Sequence, residues 1–230
     1  MFWLLFGGVF LLSMFVQYRF KSKFEKYSRV PNPMGLSGRE IAEQMLHEHG
    51  LTEVKVVSTP TMLGDHYNPV NKTVNLSPGV YEGRSVAAAG VAAHECGHAL
   101  QHAFGYAPLK LRTALVPVQA ASAKILNIVL MATFLGGFLI FKMIPIQLVL
   151  GIIVATYAVL TLFSFITLPV EFDASKRAVQ WLERRYSMSD SAMHDVRDAL
   201  KWAALTYVVA ALSSLVGLLY YLSLFMGRRD

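Results

Sequence analysis

Four long apolar runs separate the polar parts of this 230-residue chain. They cover residues 2–16, 125–141, 148–168 and 202–226, and none of them contains a charged side chain. A helix needs about 20 apolar residues to cross a hydrocarbon core of about 30 Å. The last two runs meet that length, and the first two are shorter but workable. The pattern therefore predicts a mainly α membrane protein with about four transmembrane helices.

The polar segments between the runs have the pattern of a mixed α+β fold. Ser37 and Glu40 have the spacing of a capping box, which predicts the start of a helix. Valine-rich or alternating stretches at 53–57, 61–67 and 73–77 predict strands, with the last two joined as a hairpin. We therefore expect a small sheet just before the alanine-rich helical run at 85–104.

The same pattern predicts the domain boundaries. We expect an N-terminal transmembrane anchor at 1–17, a polar region at 18–124, a hairpin of two transmembrane helices at 125–168, a helical segment at 169–201 and a C-terminal transmembrane helix at 202–226. Pro169 is expected to mark the return from the hairpin, with a new helix beginning there. The first run has no basic residue ahead of it and no small-residue cleavage site behind it, so we interpret it as a retained anchor.

The net charge of +6 has an explanation in membrane topology. Segments 18–124 and 169–201 together hold 18 of the 21 lysines and arginines, which predicts that both lie on the cytoplasmic side of a bacterial inner (cell) membrane. The basic and aromatic stretch 18–30 is typical of a segment lying against anionic lipid headgroups, and a solvated linker is the alternative. Nucleic acid is not an expected partner, because no recognition motif accompanies the charge.

His94, Glu95 and His98 form a His-Glu-x-x-His motif inside the run 85–104. On a helix, two histidines four residues apart project from one face, so both rings can reach one metal ion while the glutamate lies beside it. The rest of this helix is mainly Ala, Val, Gly and Leu and should be buried. Buried imidazoles are costly unless they are hydrogen-bonded or bind a metal. A pair of core histidines satisfied by hydrogen bonds is the alternative.

We expect a third metal ligand at Glu171. If a helix begins after Pro169, Glu171 lies on its apolar face, where an unpaired charge is expensive. A zinc ion with two imidazole ligands also lacks one protein ligand. The alternative is a first-turn glutamate that only favours the helix dipole. Asp173 lies four residues before Arg177, and an ion pair on the solvated face explains it.

Four other residues are expected to lie on or near the helix of the motif. His102 is predicted to line the cleft or to contact a ligand, because it lies about 6 Å further along the helix than His98. His66 and Tyr67 would lie near the cleft if their strand is the edge of the sheet, and ordinary strand packing is the alternative. Cys96 is the single cysteine, which excludes an internal disulfide, and it is expected to pack away from the histidines.

Taken together, these residues resemble the bacterial YugP-type neutral zinc metallopeptidases of the membrane, a gluzincin-like group. The resemblance rests on 94–102, 65–69 and 170–175 and covers most of the chain, including the four runs. It implies a zincin-like fold for the cytoplasmic region, zinc ligands at His94, His98 and Glu171, and a general base at Glu95. A wider group of membrane peptidases has Glu-x-x-x-Asp at the third ligand. Here Ser175 replaces that aspartate, and a hydrogen bond from Ser175 near the site is a hypothesis.

The expected function is zinc-dependent hydrolysis of peptide bonds in membrane-associated proteins at the cytoplasmic face. Two histidine ligands and one glutamate ligand leave the fourth coordination position of a zinc ion open, which is typical of catalytic zinc sites. The expected partners are peptide or membrane-protein substrates and the lipid bilayer, and association with a membrane-protein partner or as a homo-oligomer stays open. The alternative is an inactive, zinc-stabilised membrane scaffold or chaperone. A transporter is disfavoured because no run has an ionisable residue in its interior.

Overall fold

A computed structural model describes residues 2–60, 64–186 and 189–227, with side chains for 3–136 and 144–227 within those ranges. The described chain is mainly helical and contains a small sheet, as the sequence predicts. Its elements are α1 (Phe2–Ser28), α2 (Gly38–Glu48), β1 (Lys55–Ser58), β2 (His66–Asn68), β3 (Thr73–Leu76), α3 (Pro78–Tyr81), α4 (Val86–Ala103), α5 (Ala107–Met143), α6 (Ile146–Tyr186) and α7 (Asp190–Met226).

Four of the described helices, α1, α5, α6 and α7, are long and apolar enough to cross a membrane. This confirms the prediction of four membrane-length helices. Large apolar side chains on them are exposed, including Trp3 at 79% and Phe134 at 84%. Such surfaces are unfavourable in water and suit contact with lipid.

The chain divides into two compact units. One comprises Met1–Met14, Leu111–Leu168 and Tyr207–Asp230, and the other comprises Phe15–Lys110 and Pro169–Thr206. In the first unit, Leu126, Val149 and Ile153 form a buried cluster. The second unit contains the sheet, α2, α3, α4 and the polar parts of α1, α6 and α7.

The centre of the second unit is α4, whose residues are nearly all buried. The side chain of Ser85 accepts a hydrogen bond from the N–H of Ala88 and so caps the first turn. Gly105, with a φ of +69°, follows the last turn in a conformation that favours glycine. Small residues along α4 allow neighbouring elements to approach closely, and α2, α3, β2 and β3 all pack against it.

The sheet has the strand order β1–β3–β2, so β2 is an edge strand. β1 runs parallel to β3, and β2 runs antiparallel to β3 with Tyr67 opposite Val74. The side chain of Asn68 accepts hydrogen bonds from the N–H groups of Val70 and Asn71 and shapes the turn between β2 and β3. The predicted hairpin is confirmed, although residues 61–63 of its first strand lie outside the described residues.

The alternative of a solvated linker for the stretch 18–30 is wrong. α1 continues through this stretch to Ser28, because no proline or glycine interrupts it before Pro31. Tyr27 is 1% exposed, and its hydroxyl donates a hydrogen bond of 2.6 Å to Asp198. Lys23, one turn earlier on the same face, forms an ion pair of 2.7 Å with the same carboxylate. One face of this helical stretch is therefore packed in the second unit, while Lys21, Lys26 and Arg29 are exposed.

The predicted helix start after Pro169 is also wrong, because α6 runs unbroken from Ile146 to Tyr186. A proline inside a helix removes one backbone hydrogen bond, and here the packing of fully buried residues such as Val170 and Ala174 keeps the chain helical across it. Glu171 consequently lies in the interior of a 41-residue helix. The helix dipole acts only on the first and last turns, so it does not explain Glu171.

Candidate metal centre

His94, His98 and Glu171 each direct one ligand atom to a common point. The three atoms lie within 4.8 Å of one another. Oε2 of Glu171 is 3.4 Å from Nε2 of His94 and 3.6 Å from Nε2 of His98. The two imidazole rings are nearly perpendicular, at 84°, with centroids 4.8 Å apart. The structure therefore brings together the three residues that the sequence predicts as metal ligands.

The two distances from Glu171 fit those between neighbouring ligand atoms of a tetrahedral zinc ion. Bonds of about 2.0–2.2 Å at tetrahedral angles place neighbouring ligand atoms about 3.3–3.6 Å apart. The distances from Glu171 to the two imidazole nitrogens, 3.4 and 3.6 Å, fall in that interval. Three protein ligands also leave one coordination position for water or substrate, as in catalytic zinc sites.

α6 can bring Glu171 this close because Gly97 has no side chain. A Cβ at Gly97 would lie 2.6 Å from the carbonyl oxygen of Ala174 and 3.0 Å from its Cα. Real Cβ atoms do not approach a backbone oxygen so closely, so any larger residue would separate the two helices. Gly97 stands between Glu95 and His98 in the motif, and Ala174 stands one turn after Glu171. The glycine thus sets the distance between the two halves of the site.

The Nδ1 atom of His94 lies 3.1 Å from the hydroxyl oxygen of Ser175. Ser175 is four residues after Glu171 and therefore on the same face of α6. The structure places Ser175 where the sequence hypothesis put a hydrogen bond. The hydroxyl can hold the His94 ring while Nε2 faces Glu171.

The Nδ1 atom of His98 lies 3.0 Å from Oε1 of Gln101, which is fully buried. Gln101 in turn donates hydrogen bonds of 2.7 Å to the carbonyl oxygen of Val170 and 2.9 Å to Oδ2 of Asp173. Both histidines therefore use Nδ1 for hydrogen bonds and turn Nε2 towards Glu171. The second nitrogen of each ring faces the same buried carboxylate.

Glu95 is 7% exposed and His98 is 8% exposed, so both lie in a poorly hydrated environment. Burial alone lowers the pKa of His98. Hydrogen bonding to Glu171 and the negative charges of Glu95 and Glu171 outweigh that effect and raise the pKa of His98 above its ordinary value. The site therefore has a negative potential that attracts a cation.

A family model described as "Putative neutral zinc metallopeptidase" matches residues 2–226 of the chain. The chain belongs to this family. Among curated proteins, the "Putative membrane protease YugP" of Bacillus subtilis (strain 168) is 42% identical over 219 residues, which are 95% of this chain and 94% of the relative. No solved structure matches the chain. The resemblance inferred from the motif residues is thereby confirmed.

In this zinc metallopeptidase family member, Tyr67 on β2 lies against His102 in the last turn of the motif helix. The hydroxyl of Tyr67 is 2.9 Å from Nδ1 of His102, and the two rings are tilted at 48° to each other. Their strand, β2, packs against α4. His66 does not join them, because its side chain is exposed and its Nδ1 lies 2.7 Å from the carbonyl oxygen of Gly64.

The contacts of Gln101 were not predicted from the sequence, and those of Asp173 were predicted only in part. The expected ion pair between Asp173 and Arg177 is present at 2.6 Å, but the same Asp173 oxygen also accepts from Gln101. Two signals could have identified this link. Gln101 is on the same arc of α4 as both histidines, and Asp173 is two residues after the predicted ligand Glu171.

Proposed function

We propose that this protein is a membrane-embedded, zinc-dependent metalloendopeptidase with a zincin-like domain. Its substrates would be membrane-associated proteins, cleaved at the cytoplasmic face. The convergence of His94, His98 and Glu171 on one point, beside the buried Glu95, carries this proposal. Family membership and similarity to a protein named as a membrane protease support it.

His94, His98 and Glu171 would hold the zinc ion. When bound, zinc polarises the scissile carbonyl group and lowers the pKa of a water molecule. Glu95 would be the general base that takes a proton from the attacking water and the general acid that gives a proton to the leaving amine. Burial of Glu95 limits competition from bulk water for its carboxylate.

An extended substrate would bind along β2. Within the described residues β2 is the sheet edge that packs against α4, and an edge strand offers unpaired backbone groups to a peptide. A peptide paired with β2 would run beside the helix that carries the metal ligands. Tyr67 and His102 would then face the scissile bond and stabilise the oxyanion that forms there.

The charge distribution supports a cytoplasmic active site. The segments 18–124 and 169–201 contain every proposed ligand and 18 of the 21 lysines and arginines. Positive residues that flank membrane helices are enriched on the cytoplasmic side. Membrane-associated substrates follow from the same arrangement, because a peptidase held by four membrane helices meets chains at the bilayer surface.

The variant Glu95→Gln tests this proposal, with Glu53→Gln as a control at an exposed position. Full-length proteins would be purified in detergent, loaded with zinc and assayed with a library of quenched fluorescent peptides. Glu95→Gln should keep one equivalent of zinc and lose about 10³-fold in kcat, because proton transfer contributes about 10²–10⁴-fold. Glu53→Gln should match the unmodified protein in both measurements.

Undiminished hydrolysis by Glu95→Gln would refute the enzymatic mechanism. A zinc-loaded protein that cleaves neither the peptide library nor proteins of native membranes would favour the scaffold alternative. A protein that binds no zinc would refute the metal site itself.

A further inference from the structure

Gln101 is a primary amide with no exposed surface. An amide buried without hydrogen bonds costs a few kcal/mol, so its partners are informative. They are the carbonyl oxygen of Val170 at 2.7 Å, Oδ2 of Asp173 at 2.9 Å and Nδ1 of His98 at 3.0 Å. One side chain of α4 is thus bonded to a metal-ligand candidate on its own helix and to two residues that flank Glu171 on α6.

The partners determine which way the amide of Gln101 points. Two of the three are oxygens that can only accept, the Val170 carbonyl and the Asp173 carboxylate. The amide nitrogen must face them, because a reversed amide would place its carbonyl oxygen against both. Oε1 of Gln101 therefore faces His98.

This orientation determines the tautomer of His98. The carbonyl oxygen Oε1 has no proton to give, so the hydrogen bond of 3.0 Å requires that Nδ1 of His98 carry the proton. In the neutral ring the lone pair then belongs to Nε2, the atom 3.6 Å from Glu171. A metal ion binds an imidazole nitrogen through that lone pair.

His94 is held in a different way. Its Nδ1 faces the Ser175 hydroxyl, which can donate or accept and therefore allows either tautomer. His98 alone has a neighbour that enforces the metal-binding tautomer. Asp173 maintains that neighbour, because its Oδ2 accepts from both Gln101 and Arg177, the latter at 2.6 Å.

We propose that Gln101, oriented by Asp173, is a positioning residue that sets the Nδ1–H tautomer of His98 and ties the metal helix α4 to the Glu171 segment of α6. The inference rests on the proposed metal function. It goes beyond that function by assigning preorganisation of the site to a residue that binds neither metal nor substrate.

Three variants of the full-length protein in detergent test the proposal: Gln101→Met, Gln101→Glu and the double variant Gln101→Glu with Asp173→Asn. Gln101→Met keeps the size of the side chain and removes its hydrogen bonds. Gln101→Glu places two carboxylates in contact. The double variant keeps an acceptor for His98 and replaces the Asp173 carboxylate by an amide that can donate to the new carboxylate at position 101. The control is Gln180→Met at an exposed position of α6.

Zinc affinity, measured by chelator competition, is the first readout. Gln101→Met should lower the affinity by about 10–100-fold, the usual effect of losing a hydrogen-bond partner of a metal ligand. Gln101→Glu should lower it by a similar factor, because the Val170 carbonyl oxygen and the Asp173 carboxylate repel the new carboxylate and displace it from His98. The double variant should recover at least about tenfold relative to Gln101→Glu, and Gln180→Met should have no effect. Recovery by a second change is not expected if Gln101 only fills space.

The tautomer of His98 is the second readout and does not depend on any variant folding. Nitrogen-15 spectra of the metal-free protein with labelled histidine, at a pH that keeps the rings neutral, should show the Nδ1–H form at His98. An Nε2–H form would overturn the proposal, as would unchanged zinc affinity in Gln101→Met. If the unmodified protein binds no zinc, the proposed metal function is refuted. The tautomer of His98 then still tests whether Gln101 orients that ring.

Discussion

Gly97 and Ala174 are in backbone contact at the crossing of α4 and α6, where a Cβ on Gly97 would lie 2.6 Å from the Ala174 carbonyl oxygen. Gly97 lies between Glu95 and His98 along α4, and Ala174 lies between Glu171 and Ser175 along α6. The distance between the helices at this contact therefore determines whether Glu171 reaches both imidazoles. A change at Gly97 should affect metal binding without altering any ligand.

We expect Gly97→Ala to destabilise the protein by about 1–3 kcal/mol and to reduce zinc affinity, because the new methyl group must displace α6. Thermal unfolding and zinc titration of the detergent-solubilised protein measure the two effects. Gly90→Ala on the same helix is the control, since its Cβ would lie 3.5 Å from Val196, an ordinary contact. Alanine is the better helix former, so that control should be neutral or slightly stabilising. Equal behaviour of both variants would contradict the importance of the Gly97 contact.

The role of Glu171 as a ligand predicts that Glu171→Gln loses zinc. A neutral amide is a weaker ligand than a carboxylate, and we expect affinity to fall by about 10²-fold or more. Zinc content after equilibrium dialysis measures the effect. Glu183→Gln on the same helix, whose carboxylate pairs with Arg197, should retain a full equivalent. Full zinc occupancy in Glu171→Gln would show that another residue completes the site.

Cys96 provides a chemical probe of the metal helix. The thiol is fully buried, and burial, together with the charge of Glu95, raises its pKa well above its usual range. A maleimide should therefore label the native, zinc-loaded protein very slowly and the denatured protein completely. Removing zinc with a chelator should speed labelling several-fold, because ligand binding stabilises the folded state against opening.

The variant Cys96→Ser is the control for that labelling experiment, since it removes the only thiol of the chain. Rapid labelling of the zinc-loaded protein would mean that α4 opens readily. An unchanged rate after chelation would mean that zinc does not stabilise this helix.

Tyr67 is expected to act in catalysis and not in metal binding. Loss of its hydroxyl in Tyr67→Phe should lower kcat by about 10–100-fold through a weaker oxyanion interaction, with zinc content unchanged. Steady-state kinetics with a cleavable peptide measure this effect. Tyr81→Phe, at a half-buried position on α3, is the matched control. Equal kcat in both variants would assign Tyr67 to packing against His102.

The sequence by itself determined the apolar runs, the capped helix at Ser37 and the ligand spacing of His94 and His98, because each depends on residues close together in the chain. It also identified Glu171, since an acidic residue among apolar positions requires compensation. Helix ends were predicted less well. Pro169 does not break α6, because the packing of buried residues such as Val170 and Ala174 outweighs one lost hydrogen bond.

Only the tertiary structure decided how the two parts of the site meet. Close approach at Gly97, the bond from Ser175 to His94 and the link from Gln101 to Asp173 all join α4 to α6. Contacts between residues about 70–80 positions apart depend on how helices pack, and no local pattern encodes that packing. The sequence thus specified the candidate metal ligands, and the packing of α4 on α6 specified their geometry.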